Sequence, residues 1–449
     1  MAESYVSTTN ACKLCTPLGA ALAFKGVQGA VPFLHGSQGC ATYMRRYVIS
    51  HFREPVDIAS SALGEKHAVY GGGPNLKQGI LNVMKKYSPA LVGVASTCLT
   101  ETIGDDVPML LAEFRREFSD LNPPELVHVS TPSYMGTHTD GWRNTVLSLT
   151  RQLCTETSQA NETVNVFPTL CSCEDLRIFK AMFREYGLTP VILPDYSDTL
   201  DGPALAEYEP IPAGGTPIAA IKAMSGATAS LDLGRCLPKD TAGADLETRF
   251  GVDNLRLGMP MGLRESDAMH HALSRISGKD MPKHIVQQRG RLVDALVDGH
   301  KYVSGARAVV YGEEDLVAGL ASFLTEVGID VVLAATGSEK CGLDSAVREV
   351  TEDLGRVETE VRMGVDFHEI AERAGQLKPD LLVGHSKGYR YAREWNIPLV
   401  RVGFPVHDRF GAQRIATLGY TGAQQMFDRI VNAVLDKRQA DSPVGYGYQ

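Results

Sequence analysis

The stretch PALVGVASTCLTETIGDD, residues 89–106, decides how the rest of the chain is read. Pro89 opens it, Ala90–Ser96 is an unbroken run of small and apolar residues, and Cys98 follows two positions after the run ends. A strand with one wet face alternates apolar and polar residues, whereas a strand buried on both faces is apolar throughout, as this one is. It therefore reads as an interior strand of a parallel sheet. Cys98 then falls in the strand-to-helix turn, at the edge where open α/β sheets bind ligands.

The same alternation continues along the chain. Glu125–Ser130 reads as a further strand that ends at TPSYMG, residues 131–136. Thr163–Phe167 and Thr189–Leu193 bracket a helix over Glu174–Tyr186, a βαβ unit. A third block begins near Gly305 with the strand ARAVVYG (306–312), a helix over Asp315–Val327 and the strand IDVVLAA (329–335). Pro379–Gly384 and Pro398–Gly403 extend it. The expected fold class is α/β, with three doubly wound domains, each a mostly parallel sheet flanked by helices. The expected boundaries are 1–160, 161–290 and 291–449, the first domain carrying the cysteines of interest. The last ends in DSPVGYGYQ (441–449), expected as an extended arm.

At 449 residues the chain is too long for one ordinary core. Hydrophobic residues make up 44% and charged residues 22%, and no apolar run approaches the ~20 residues of a membrane span. The first ten residues hold no apolar signal-peptide core, so the expected location is cytoplasmic, with no membrane partner. A formal net charge of −9 without a basic stripe argues against nucleic acid. Nine cysteines, an odd and scattered set, point to reduced thiols or metal ligands rather than a disulfide framework.

Two more of these cysteines share the setting of Cys98. Cys15 opens CTPLGA (15–20), Cys40 closes HGSQGC (35–40), and each lies at a glycine- or proline-marked loop beside a short apolar run. Thiols brought from separate loops to one end of a sheet suit a metal cluster, and iron–sulfur clusters are held by thiolates of this kind. Glycines in HGSQGC and in Gly71-Gly72-Gly73 let backbone amides approach a cluster closely. Ser133 ends a predicted strand and is expected at the same rim as Cys98. For each loop taken alone, an ordinary turn is the competing reading.

Cys12 and Cys15 also form a C-x-x-C, a spacing shared by zinc sites and thioredoxin-like motifs. A redox motif follows a strand, and only a polar tail precedes this one. A zinc site needs a second pair, and Cys171-Ser172-Cys173 has the wrong spacing. Cys154, Cys236 and Cys341 read as core residues, and Cys171 and Cys173 as structural. Arg45, Arg46, His51 and Arg53 follow Cys40 on a predicted helix, as a docking face or a solvated one. Glu101, Asp105 and Asp106 read as helix caps or as ligands of a divalent ion. His385-Ser386-Lys387 ends a strand and could face a partner, and His407-Asp408-Arg409 reads as an internal ion-pair turn. No G-x-x-x-x-G-K-[ST] motif occurs, so any ATP hydrolysis belongs to another protein.

The segments CTPLGA, HGSQGC, HFREP (51–55), YGGGPNL (70–76), TCLTETIGDD (97–106), TPSYMGTH (131–138), RGRLVDA (289–295) and VGFPVHDR (402–409) carry a family likeness. In that order they resemble the β-type subunits of nitrogenase component 1, over nearly the whole chain. The resemblance implies three doubly wound α/β domains. It implies that Cys15, Cys40 and Cys98 are the β-side ligands of an eight-iron P-cluster (8Fe-7S) shared with an α-type partner, and that Ser133 ligates one iron on oxidation. It further implies an α2β2 heterotetramer and transient docking of an ATP-dependent iron protein. Electrons would pass to a cofactor in the α-type partner for reduction of dinitrogen or another small substrate, such as a methylthio-alkane. The assembly-scaffold branch of the family implies instead a four-iron cluster (4Fe-4S) and maturation of the iron-molybdenum cofactor. One departure stands out: Cys12 is an additional cysteine in the first motif.

Overall fold

The computed structural model describes residues 11–445. The first ten residues, and with them the reading of the N-terminus, lie outside the described residues. The fold is α/β: three parallel sheets flanked by helices, as the apolar runs implied.

Two compact units divide the chain. One takes Leu14–Leu233 and Lys239–Arg256, the other residues 11–13, Gly234–Pro238 and Leu257 onward. The first contains a sheet built from β1 (Ala30–His35), β2 (Ala59–Ser60), β3 (Leu91–Ser96) and β4 (Glu125–Ser130), in the order β2-β1-β3-β4. Its second sheet uses β5 (Thr163–Phe167), β6 (Thr189–Ile192), β7 (Ala229–Leu233) and β8 (Asn254–Leu257), ordered β6-β5-β7-β8. The other unit holds β9 (Arg307–Tyr311), β10 (Asp330–Ala335), β11 (Glu360–Arg362), β12 (Leu381–Gly384) and β13 (Leu399–Arg401), ordered β11-β10-β9-β12-β13.

The apolar runs become interior strands because both faces of each sheet are covered. In β3, every residue is buried. Val92 and Val94 point to one face and join Val31, Phe33, Leu76, Ile80, Leu111 and Phe114 beneath the helices Gly73–Tyr87 and Val107–Glu117. On the other face the ring of Phe24, from helix Thr16–Lys25, lies directly against Gly93. Each Val or Phe buried in this way contributes ~1.5–3 kcal/mol. That offsets the entropy of ordering the strand and explains why no polar residue interrupts it.

Helix Thr16–Lys25 crosses helix His138–Leu153 at very short range. A Cβ on Gly19 would stand 1.7 Å from the His138 carbonyl oxygen, and one on Gly141 would stand 1.9 Å from that of Thr16. Only glycine fits at either position, and this crossing fixes the start of the first helix, where Cys15 lies.

The third-block helix runs over Glu314–Glu326 and is buried on all sides through Thr325. Asp441 is the last residue of the helix Gly419–Asp441, and Gly445 closes a turn by donating to the Ser442 carbonyl. Residues 446–449 lie outside the described residues.

Candidate metal-cluster site

The ends of β1, β3 and β4 stand side by side. His35 is the register partner of Ser96, and Ser96 is the register partner of Ser130. Because the strands are parallel, the chain leaves all three at the same rim, and the loops carrying Cys40, Cys98 and Ser133 start there.

Hydrogen bonds draw these loops together. The Ser133 amide donates to Cys98 Sγ at 3.1 Å, and the Thr16 amide donates to Ser133 Oγ at 3.3 Å. On the other side of Cys15, the Leu14 amide donates to His138 Nδ1 at 3.3 Å, and the His138 amide returns a bond to the Leu14 carbonyl. Cys15 is thus held from both flanks by the loop that carries Ser133. Cys40 Sγ lies 3.4 Å from Ser37 Oγ. Its loop presses on the Cys98 loop, since a Cβ on Gly36 would fall 2.0 Å from Thr97 Oγ1.

The structure therefore links Cys98, Ser133 and the start of the helix that Cys15 caps, and sets the Cys40 loop against the Cys98 loop. Cys15 is exposed, Cys40 and Cys98 are half-buried, and all three are free thiols. Cys15 is the N-cap of a helix of 10 residues, and Cys40 lies in the first turn of one of 15. Helix N-termini carry partial positive charge that favours anionic ligands. Among the described residues, no three His, Cys, Asp or Glu side chains converge closely enough to hold a single metal ion.

Beside the thiol loops lies a polar layer of which the sequence disclosed the Asp106 cap but not the partners of His35, Glu101 and Asp105. His35 is fully buried, with Nδ1 2.9 Å from Ser61 Oγ and Nε2 3.1 Å from Asp105 Oδ2. Burial lowers the pKa of this imidazole, and the Asp105 charge partly opposes that. Asp105 also accepts from the Gly72 amide, so the triple-glycine loop is tied to the base of the Cys40 loop. Asp106 caps helix Val107–Glu117 by accepting from the Met109 amide. Glu101 accepts from the hydroxyls of Ser96 and Ser130. Burial pushes His128 on β4 down to about 4.

Cys12 has a different fate from Cys15. It is 5% exposed and packs in the other unit with Tyr311, Phe367 and Ile370. Its Sγ is 3.6 Å from His385 Nε2, and burial pushes its thiol up to about 12. The reading that turns His385-Ser386-Lys387 toward a partner is corrected here. His385 and Ser386 are buried, and Lys387 donates to the Ala11 carbonyl, because the segment around Cys12 packs over this strand end. The turn at residues 407–409 is an ion-pair turn: Arg401 grips Asp408 with Nη2 at 2.6 Å, and Arg409 adds a longer contact. Cys154, Cys173, Cys236 and Cys341 are buried. Arg45 reaches the Val56 carbonyl and Asp57, His51 is buried, and Arg46 and Arg53 are exposed.

With this geometry in view, the comparisons with known proteins become informative. The sequence matches the family described as nitrogenase component 1 type oxidoreductase over residues 15–435. The chain belongs to the nitrogenase component 1 family. It is 37% identical over 431 residues to the nitrogenase molybdenum-iron protein beta chain of Methanothermobacter marburgensis, covering 94% of this chain and 93% of that one. It is 32% identical over 445 residues to the iron-molybdenum cofactor biosynthesis protein NifN of Bradyrhizobium diazoefficiens, covering 97% and 92%. A solved structure titled "Nitrogenase Cp1 at pH 6.5" superposes with a TM-score of 0.95 at 31% identity, covering 100% of this chain and 98% of that one. As a component 1 protein this chain is of the β type. No helix among its described residues is long and apolar enough to cross a membrane.

Proposed function

We propose that this chain is the β-type subunit of a nitrogenase-like reductase, with Cys15, Cys40 and Cys98 as its ligands to a P-cluster-type centre shared with an α-type subunit. One observation carries the reading: Ser133 bonds to Cys98 through its amide and to the residue after Cys15 through its hydroxyl. Ser133 thus ties the loop that carries Cys98 to the first residue of the helix that Cys15 caps. When bound, the cluster supplies one-electron transfer between an external donor and the α-type partner's cofactor.

The residues of this chain have distinct tasks in that scheme. The three thiolates provide anionic sulfur, and the Ser133 amide adds a hydrogen bond that tunes the sulfur of Cys98. The Ser133 hydroxyl offers a hard oxygen suited to a more oxidised iron. The buried His35–Asp105 pair and the Gly36–Thr97 contact hold the Cys40 and Cys98 loops rigid. An ATP-dependent iron protein is the external donor, since no G-x-x-x-x-G-K-[ST] motif lies in this sequence. The assembly would be an α2β2 heterotetramer in the cytoplasm. One domain is assigned to each sheet, with boundaries near residues 160 and 290.

The likeness to NifN over almost the same length favours a second reading, a scaffold on which cofactor precursor is matured around a four-iron cluster. Iron quantification and EPR on the co-purified heteromer separate the two. About eight irons per αβ pair outside the cofactor mark the reductase, and about four mark the scaffold. A heteromer with no iron at the interface overturns both.

A further inference from the structure

Glu101 stands one turn into the helix that Cys98 opens, with its amide bonded to the Thr97 carbonyl. Its Oε1 accepts from Ser130 Oγ at 2.6 Å and from the Ser96 hydroxyl. Those two serines are register partners, the last residues of β4 and β3. A carboxylate only accepts, so both hydroxyls must give it their protons. Ser96 Oγ is then left as an acceptor and takes the Thr131 amide at 3.3 Å, while Thr131 Oγ1 donates to the Ser96 carbonyl at 2.6 Å. The carboxylate oxygen thus takes both serine hydroxyls at the β3–β4 rim, with the Val129 carbonyl, 3.5 Å from Ser96 Oγ, as a longer alternative acceptor. Two residues beyond Ser96 is Cys98, three beyond Ser130 is Ser133, and their N–H···S bond spans the gap just outside this bracket.

We propose that Glu101 is a positioning residue: through Ser96 and Ser130 it sets the separation of Cys98 and Ser133, and so the hydrogen bond that tunes the Cys98 sulfur. The proposal rests on the cluster-site reading above. It extends that reading to a residue that need not itself touch iron. The distance of an amide from a ligand sulfur is one of the levers that set the potential of an iron–sulfur centre. Loosening the bracket should therefore move a potential and not only a melting temperature.

The test uses the intact co-purified complex, with iron quantified before each redox titration. Glu101→Ala removes the bracket, Glu101→Gln keeps an oxygen able to accept both hydroxyls, and Ser130→Ala removes one arm while leaving the charge in place. Glu101→Ala is expected to shift the equilibrium of the oxidised couple about tenfold, ~59 mV for a one-electron step, and Glu101→Gln to shift it less than about threefold. Ser130→Ala should lower the potential, because the Ser133 amide moves away from the Cys98 sulfur while the charge stays. Wild-type potentials in both Glu101→Ala and Ser130→Ala overturn the proposal. So does a Glu101→Gln shift as large as that of Glu101→Ala, which would make charge rather than position the cause. If Glu101→Ala fails to assemble, Ser130→Ala decides alone: a lowered potential upholds the bracket and an unchanged one overturns it. A wild-type complex without iron at these cysteines overturns the site reading itself, and the proposal with it.

Discussion

Ser133 and Cys98 lie 35 residues apart in sequence, yet the amide of one donates to the sulfur of the other at 3.1 Å. The bond exists because β3 and β4 are parallel neighbours ending in register at Ser96 and Ser130. It joins the two loops as one structural element, with the start of the Thr16 helix bonded to it through the Ser133 hydroxyl.

The first prediction concerns ligation. Cys40→Ala in the co-purified complex should remove most of the iron bound at the interface. Cys154→Ala, at a fully buried thiol away from the rim, should leave iron content unchanged. Iron per complex, measured side by side, checks both.

Ser133→Ala separates hydroxyl from amide. The backbone bond to Cys98 survives and the acceptor for the Thr16 amide is lost. Iron content and the reduced-state spectrum should match wild type, while the oxidised couple shifts, because hard oxygen donors favour the more oxidised metal. A redox titration that overlays wild type at every potential would reduce Ser133 to a turn residue.

Cys12→Ala should retain full iron. Its thiol sits in the core of the other unit and is held protonated, with its pKa pushed up to about 12 by burial. The change should instead cost about 1–2 kcal/mol of stability through lost packing. Chemical denaturation together with iron analysis tests this, and loss of iron in Cys12→Ala with retention in Cys15→Ala would reverse the assignment of the first motif.

Gly36→Ala probes the contact between the cysteine loops. The new methyl group would meet Thr97 at 2.0 Å, forcing the Cys40 loop away from the Cys98 loop. A stability loss of about 1–3 kcal/mol is expected, with reduced iron occupancy. Gly36→Ala combined with Thr97→Ser, which deletes one of the clashing atoms, should recover part of both.

Acid sensitivity follows from two histidines, His270 buried and His128 half-buried. Burial holds His128 and His270 at about 4, against 6.5 when unperturbed. Between those values the unfolded chain takes up protons that the folded chain refuses. Their contribution is therefore intact above about pH 6.5 and is lost as pH falls toward 4, at up to ~1.4 kcal/mol per histidine per pH unit. His270 stacks on Tyr420 with ring centroids 5.0 Å apart. His270→Phe keeps an aromatic there and should lessen the difference between urea unfolding curves at pH 7 and pH 5.

The amino-acid sequence by itself determined the sheets and the rim. Unbroken runs such as Leu91–Ser96 can be stable only where both faces are covered, which makes the strands parallel and interior. Parallel strands deliver the residues after them to one edge, so the placement of Cys40, Cys98 and Ser133 was already legible in the spacing of strand and loop. The tertiary structure alone decided the rest. Cys12 and Cys15 look alike in C-x-x-C, yet one is core and the other exposed. Glu101, Asp105 and Asp106 look alike as acidic residues after a cysteine. One brackets two serines, one holds His35 and the Gly72 amide, and one caps a helix. Local pattern shows that both faces of a strand such as Leu91–Ser96 are buried, because an unbroken apolar run leaves no polar face. Which distant side chain completes a hydrogen bond depends on strand order and helix crossing, and those are settled only when the whole chain packs.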